Sequence, residues 1–245
     1  MTTTAPNQPI DTVDVAVVSG PTSPGTVGDW ELFFARRALA MLKSRLGREG
    51  LLELLKPDLD DSAEHFRAWV AASEGKWRPA QTELRVKGIS AAEFLAYFHS
   101  AIPDQPRLLA AEPEHFVMTQ VDDRLQVVEN LGPYITDLRI LLTDDDQAID
   151  DLTADYPVRM VGNVILPDGT LFAHALHQFR ETADGFDVVL GIYFPDAAPA
   201  EVIEGHRQHL AVEFTNWIID AGTSLGGTGT SPVPIVVTGT ERYTG

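Results

Sequence analysis

Three apolar runs follow one another between residues 158 and 194, joined by two Asp-Gly turns, and a long amphipathic stretch comes straight after them. Val158 to Leu166 leads through Pro167-Asp168-Gly169 into Leu171 to Arg180. That run leads through Ala183-Asp184-Gly185 into Phe186 to Phe194. Asp-Gly suits tight hairpin loops because glycine takes left-handed backbone without a Cβ clash. The pattern therefore predicts three consecutive antiparallel strands. Pro195 and Pro199 end the third, and a helix over about Ala200 to Ala221 follows.

Upstream the period is also two. Phe116 to Val121, Asp122-Asp123 and Leu125 to Glu129 read as a hairpin, and Ile135 to Leu142 as a further strand. The acidic run Asp144 to Asp151 reads as a solvated loop or helix start, since the full spacing of a calcium loop is missing. The expected fold is α+β: a curved antiparallel sheet closed by a long C-terminal helix, with a cavity between them. Four regions are expected. Residues 1–28, rich in Pro and Gly, form an arm. Residues 29–101 read as helical, with Asp61 or Ser62 capping one helix and the pair Ser90/Glu93 opening another. Residues 102–221 form the sheet-and-helix domain, and 222–245 a Gly/Thr-rich tail in which Val233 to Val237 could add an edge strand.

The charge balance narrows the partners. The chain has 36 Asp+Glu against 18 Lys+Arg, a formal net charge of −18. Such a surface repels phosphate backbones and anionic lipid, so neither nucleic acid nor membrane is expected as a partner. With no cysteine, thiol catalysis and thiolate metal sites are excluded. Val13 to Val18 is too short to span a bilayer, and no targeting segment is visible, so a cytoplasmic protein is expected. Gly222-Thr223-Ser224-Leu225-Gly226 matches a nucleophile-elbow pattern. No strand precedes it and no histidine follows it, so it is rejected.

His206-x-x-His209-x-x-x-Glu213 is the sharpest chemical signal. Spacings of three and four put the three side chains on one helix face, and imidazole with carboxylate is a zinc donor set. A polar face with Glu213 salt-bridged to a neighbour is the competing reading. Two distant residues shift the balance. His99 ends the aromatic segment Glu93 to His99, and Glu129 ends the apolar strand Leu125 to Glu129. Two histidines and two glutamates would make a four-ligand site.

Four segments together resemble the diacetylphloroglucinol hydrolase family, which includes phloretin hydrolase. They are Ala92-Glu93-Phe94 with His99, Val127-Val128-Glu129-Asn130-Leu131-Gly132-Pro133, Asp168-Gly169-Thr170 with His177, and His209-x-x-x-Glu213. The resemblance covers roughly residues 89–221. It implies a helix-grip (Bet v 1-like) fold with a mostly helical N-terminal region. It implies zinc (Zn2+) held by His99, Glu129, His209 and Glu213, and hydrolysis of the carbon–carbon bond between a phenolic ring and an acyl group. The family's Trp-rich segment before its first ligand histidine is here Phe94 to Phe98 with a single Tyr97, so the pocket wall differs.

His177 shares a strand face with Leu171, Ala173, Ala175 and Phe179, where small alanines leave room for a cavity. It is either a satisfied core histidine or, as the resemblance implies, a contact to substrate oxygens together with Tyr193. His206 either competes for the metal or orients its ligands. His115 reads as structural or surface, and His65 has no assigned role. The expected substrate is a small aromatic acyl-phenol, cleaved by a retro-Claisen route with His177, His206 or Tyr193 moving protons. The alternatives are a non-hydrolytic binding protein and a polyketide cyclase or aldolase-type enzyme using the same cavity. The resemblance and the apolar early helix from Trp30 to Leu42 are consistent with a homodimer.

Overall fold

The computed structural model describes residues 15–102, 105–143 and 153–226. The acidic run 144–151, the edge strand expected at Val233 to Val237, the first half of the arm and most of the tail lie outside them.

Seven strands form one antiparallel sheet: β1 (Trp77–Lys87), β2 (His115–Val121), β3 (Arg124–Leu131), β4 (Tyr134–Thr143), β5 (Val158–Ile165), β6 (Leu171–Glu181) and β7 (Gly185–Pro195). Their spatial order is β1-β7-β6-β5-β4-β3-β2, so every sequential pair from β2 to β7 is a neighbour and only β1 crosses over. The helices are α1 (Val27–Ser73), α2 (Ala91–Ala101), α3 (Gln105–Ala111) and α4 (Ala200–Ser224). The α+β layout, with a C-terminal helix against an antiparallel sheet, is the one expected.

Two expectations for residues 29–101 are corrected. The first is the helical character of the whole segment. Trp77–Lys87 is a strand, paired with β7 along its full length from Trp77↔Pro195 to Lys87↔Gly185. At Gly185 a Cβ would lie 2.1 Å from the Val86 carbonyl oxygen, so this end of the pairing requires glycine. The second is the start of a helix at Asp61 or Ser62. α1 runs from Val27 to Ser73 through Pro57, and its one break in helical backbone is at Gly47, where φ is +62°. Proline costs a helix interior about 3 kcal/mol. Packing on both sides offsets that cost: Leu52, Leu55 and Leu59 lie on Val117, Val128 and Ile135. Ser62 is no cap; its hydroxyl accepts the Ile135 N–H. The Ser90/Glu93 capping box at the start of α2 is present as expected.

The sheet has two apolar faces, each with its own cover. α1 covers the face bearing Val117 and Val128 and anchors through Phe66, whose ring lies 4.8 Å from Phe172 and 5.2 Å from Trp69. α4 covers the other face. Its buried residues Val202, Ile203, His206, His209, Leu210, Glu213, Phe214, Trp217, Ile218 and Ala221 recur at three and four, one helical stripe. α2 packs beside it, with Phe98 5.0 Å from Trp217. No helix among the described residues is long and apolar enough to cross a membrane.

Phe66 is 1 % exposed and joins α1 to the sheet. Phe66→Ala is expected to cost about 3–5 kcal/mol in urea unfolding, as for a fully buried phenylalanine. Asp187 on β7 takes Arg85 and Arg180, which hold its carboxyl down to about 2. A depressed carboxylate adds stability above its unfolded pKa, and that contribution is lost as pH falls through the folded one. Asp187→Asn should lower the melting temperature at pH 7. It should also remove part of the acid destabilisation expected of wild type between about pH 4 and pH 2.

Candidate metal centre

The hairpin β2–β3 and the helix α4 bring two imidazoles and two carboxylates to one point. His115 opens β2 and pairs across the strand with Glu129. Its Nε2 lies 2.9 Å from Glu129 Oε2, 3.0 Å from His209 Nε2 and 3.5 Å from Glu213 Oε1. His209 Nε2 is 3.5 Å from the same Glu129 oxygen. All four side chains are buried. His115, Glu129 and His209 place ligand atoms within 4.8 Å of one another.

Burial and mutual charge set the protonation of this cluster. Burial presses Glu129 upward, but the neighbouring His209 and His115 outweigh it and hold the carboxyl down to about 2. Burial likewise opposes charge on His209, yet Glu129, Glu114, Glu213 and Glu112 together push it up to about 10. Glu213 is raised well above the carboxylate range, mainly by burial, with Glu129 and Glu112 adding to the effect. Burial lowers His115, against the pull of Glu129. The metal-free cluster is thus a buried imidazolium–carboxylate pair with a neutral acid and a neutral imidazole beside it.

The donor chemistry fits a divalent ion. Two Nε2 atoms 3.0 Å apart can share one proton between them, while two carboxylates add oxygen donors to the same space. The ion would take the place of protons in a site otherwise rich in acceptors.

The sequence-expected ligands divide here. Glu129, His209 and Glu213 are brought together. His99 is not, and its assignment as a ligand is corrected: Phe94, Tyr97, Phe98 and Ala101 form the buried stripe of α2, and His99 falls on the exposed turn between them. His115, read as structural or surface, stands in the cluster instead. Glu112 and Glu114, just before it, flank the far side of His209 and had no role in the sequence reading.

A cavity of about 200 Å³ opens beside the cluster, between the sheet and α4. Glu129, Glu213, His177 and His206 line its polar end, and Val127, Leu138, Ile140, Met160, Leu210 and Phe214 are among its apolar walls. His177 faces this cavity, as the alanine-bearing face of β6 led one to expect. Its Nδ1 accepts the Gly191 N–H at 3.2 Å, which leaves the ring proton on Nε2, and burial pushes its pKa down to about 4. His206 lies stacked on His209 at 5.1 Å, with neither ring nitrogen hydrogen-bonded. Burial, helped by the charge on His209, lowers it to about 3. Tyr193 points the other way, and its expected contact with substrate is corrected. Ile192 and Phe194 take the cavity side of β7, so strand alternation puts Tyr193 on the opposite face, where Gln81 Nε2 donates to its hydroxyl at 2.9 Å.

Neither a family model nor a curated protein matches the chain. Function therefore rests on the geometry. His115→Ala should weaken uptake of a divalent ion such as Co2+ by more than about 100-fold, beyond what loss of an outer hydrogen-bond partner costs. His99→Ala should bind as wild type does. Equilibrium dialysis with metal analysis distinguishes the two variants.

Proposed function

We propose that the chain is a cytoplasmic zinc-dependent hydrolase that cleaves the carbon–carbon bond between a phenolic ring and its acyl group. The observation that carries this reading is the convergence of His115, Glu129, His209 and Glu213 beside a largely apolar cavity, into which Glu129 and Glu213 reach. The segment likeness to the diacetylphloroglucinol hydrolase family supports it, with His115 in place of His99 among the ligands. A sheet curved round α4 is also compatible with a helix-grip fold.

The residues divide the work as follows. His115, Glu129, His209 and Glu213 would hold the ion, which when bound supplies Lewis-acid polarisation and a water of lowered pKa. The apolar walls, among them Leu138, Ile140 and Phe214, take the ring and acyl chain out of bulk water. His177 is neutral with its proton on Nε2, so it donates to a ring or carbonyl oxygen and does not repel a cation nearby. His206, neutral and unpartnered beside the cluster, is placed to accept and pass on a proton. Overall, the hydroxyl of water joins the acyl carbon, its proton ends on the ring carbon, and the bond between those carbons breaks. The products are a carboxylic acid and the deacylated phenol.

A second reading has one observation in its favour. The ion pair between His209 and Glu129 already balances the buried charge without a metal. A binding protein for an apolar aromatic ligand would need nothing more.

Metal content and product analysis decide between them. The purified protein should carry close to one zinc per chain and release a carboxylic acid from an acylated phloroglucinol. A chelator should stop turnover and added zinc restore it. His177→Phe should keep its zinc and lose roughly 10²- to 10⁴-fold in kcat, the range for a positioned proton-transfer group. Metal-free protein that binds acyl-phenols without turning them over would establish the second reading.

A further inference from the structure

His209 has two ring nitrogens and two different surroundings. Nε2 faces His115 and Glu129, as described. Nδ1 faces Glu114, whose Oε2 is 3.7 Å distant. Among the described residues Nδ1 makes no closer contact with a hydrogen-bond acceptor.

Glu114 is held in this orientation from behind. Its Oε1 accepts from Asn130 Nδ2 at 3.3 Å, and its backbone carbonyl accepts from the Asn130 N–H at 3.4 Å. Asn130 directly follows the ligand Glu129 on β3. The Glu114 backbone N–H donates to Glu112 Oε1 at 3.1 Å, and Glu112 is itself 3 % exposed. Lys43 of α1 donates to the backbone carbonyls of Pro113 and His115 on either side of Glu114. One carboxylate oxygen is thus tied to the strand that carries Glu129, and the other is left for the imidazole of α4.

A histidine binds a metal through a lone pair on one nitrogen, so the proton must sit on the other. That N–H is buried in this protein, and leaving it without an acceptor is costly. We propose that Glu114 is the positioning residue of the centre: it accepts the Nδ1 proton of His209, fixes the tautomer and presents the Nε2 lone pair to the ion. This inference rests on the reading of the cluster as a metal centre.

The test uses the full-length protein, zinc, and the variants E114A and E114Q. Zinc affinity is measured by competition with a chromophoric chelator, and the His209 ring by 15N-edited NMR. Thermal unfolding of the metal-free variants checks that each is folded. Wild type should show a protected Nδ1–H resonance on His209. E114A should bind zinc about 10- to 100-fold more weakly, the usual cost of losing such a partner, and its Nδ1–H signal should move or exchange away. E114Q retains a carbonyl acceptor and should recover a large part of both. Equal zinc affinity in E114A and wild type, with an unchanged Nδ1–H signal, overturns the inference while leaving the metal centre intact. Two zinc ions per chain in wild type, with one lost in E114A, also overturn it by making Glu114 a ligand. Wild type that binds no zinc removes the metal centre, and the inference with it.

Discussion

Two carboxylates buried between a sheet and a helix are the constraint on which the rest of this structure depends. Glu129 and Glu213 sit among apolar neighbours, where an unpaired charge would cost several kcal/mol. One is stabilised as an anion by imidazoles, and the other is kept neutral by burial. The surrounding fold is arranged to make that tolerable. α4 interrupts its apolar stripe with His206, His209 and Glu213, all on the side that faces the sheet. β2 meets β3 with His115 opposite Glu129. A purely apolar interface of the same shape would be easier to stabilise, so the polar cluster is held at a cost in stability.

Much of this was legible because it follows from local periodicity. Six of the seven strands, the α2 capping box and α4 lie where alternation, Asp-Gly turns and helical spacing put them. The spacing in His209-x-x-x-Glu213 also fixed two members of the site, because a helix places such residues side by side whatever the rest of the chain does. β1 was hidden for the opposite reason. Trp77 to Lys87 mixes charged and apolar residues without clean alternation, as an edge strand with one open side can. Only its pairing with β7, about 110 residues later in the chain, makes it a strand.

The exchange of His99 for His115 turns on a single residue of register. Counting outward from the Asp122–Asp123 turn, regular pairing sets Phe116 against Glu129. The irregularity between His115 and Val117 replaces Phe116 with His115 and turns its imidazole toward the carboxylate. No residue in that stretch announces such a bulge. The spacing of α2, by contrast, was open to inspection. Phe94, Tyr97, Phe98 and Ala101 define a buried stripe at helical spacing, and that spacing alone excludes His99 from it.

α1 ties these levels together. Its N-terminal half carries Lys43, whose ammonium group reaches the carbonyls of Pro113 and His115. Burial there lowers the lysine to about 8, against the pull of Glu112, so the contact is made at a cost in desolvation. The segment it holds is the turn from which Glu112, Glu114 and His115 all approach His209. Leu52, Leu55 and Leu59, further along the same helix, clamp the opposite face of β2 and β3. A helix packed on the outside of the sheet thereby constrains the bulged strand whose histidine faces inward. α1 in this way supports the centre, although none of its side chains among the described residues lines the cavity.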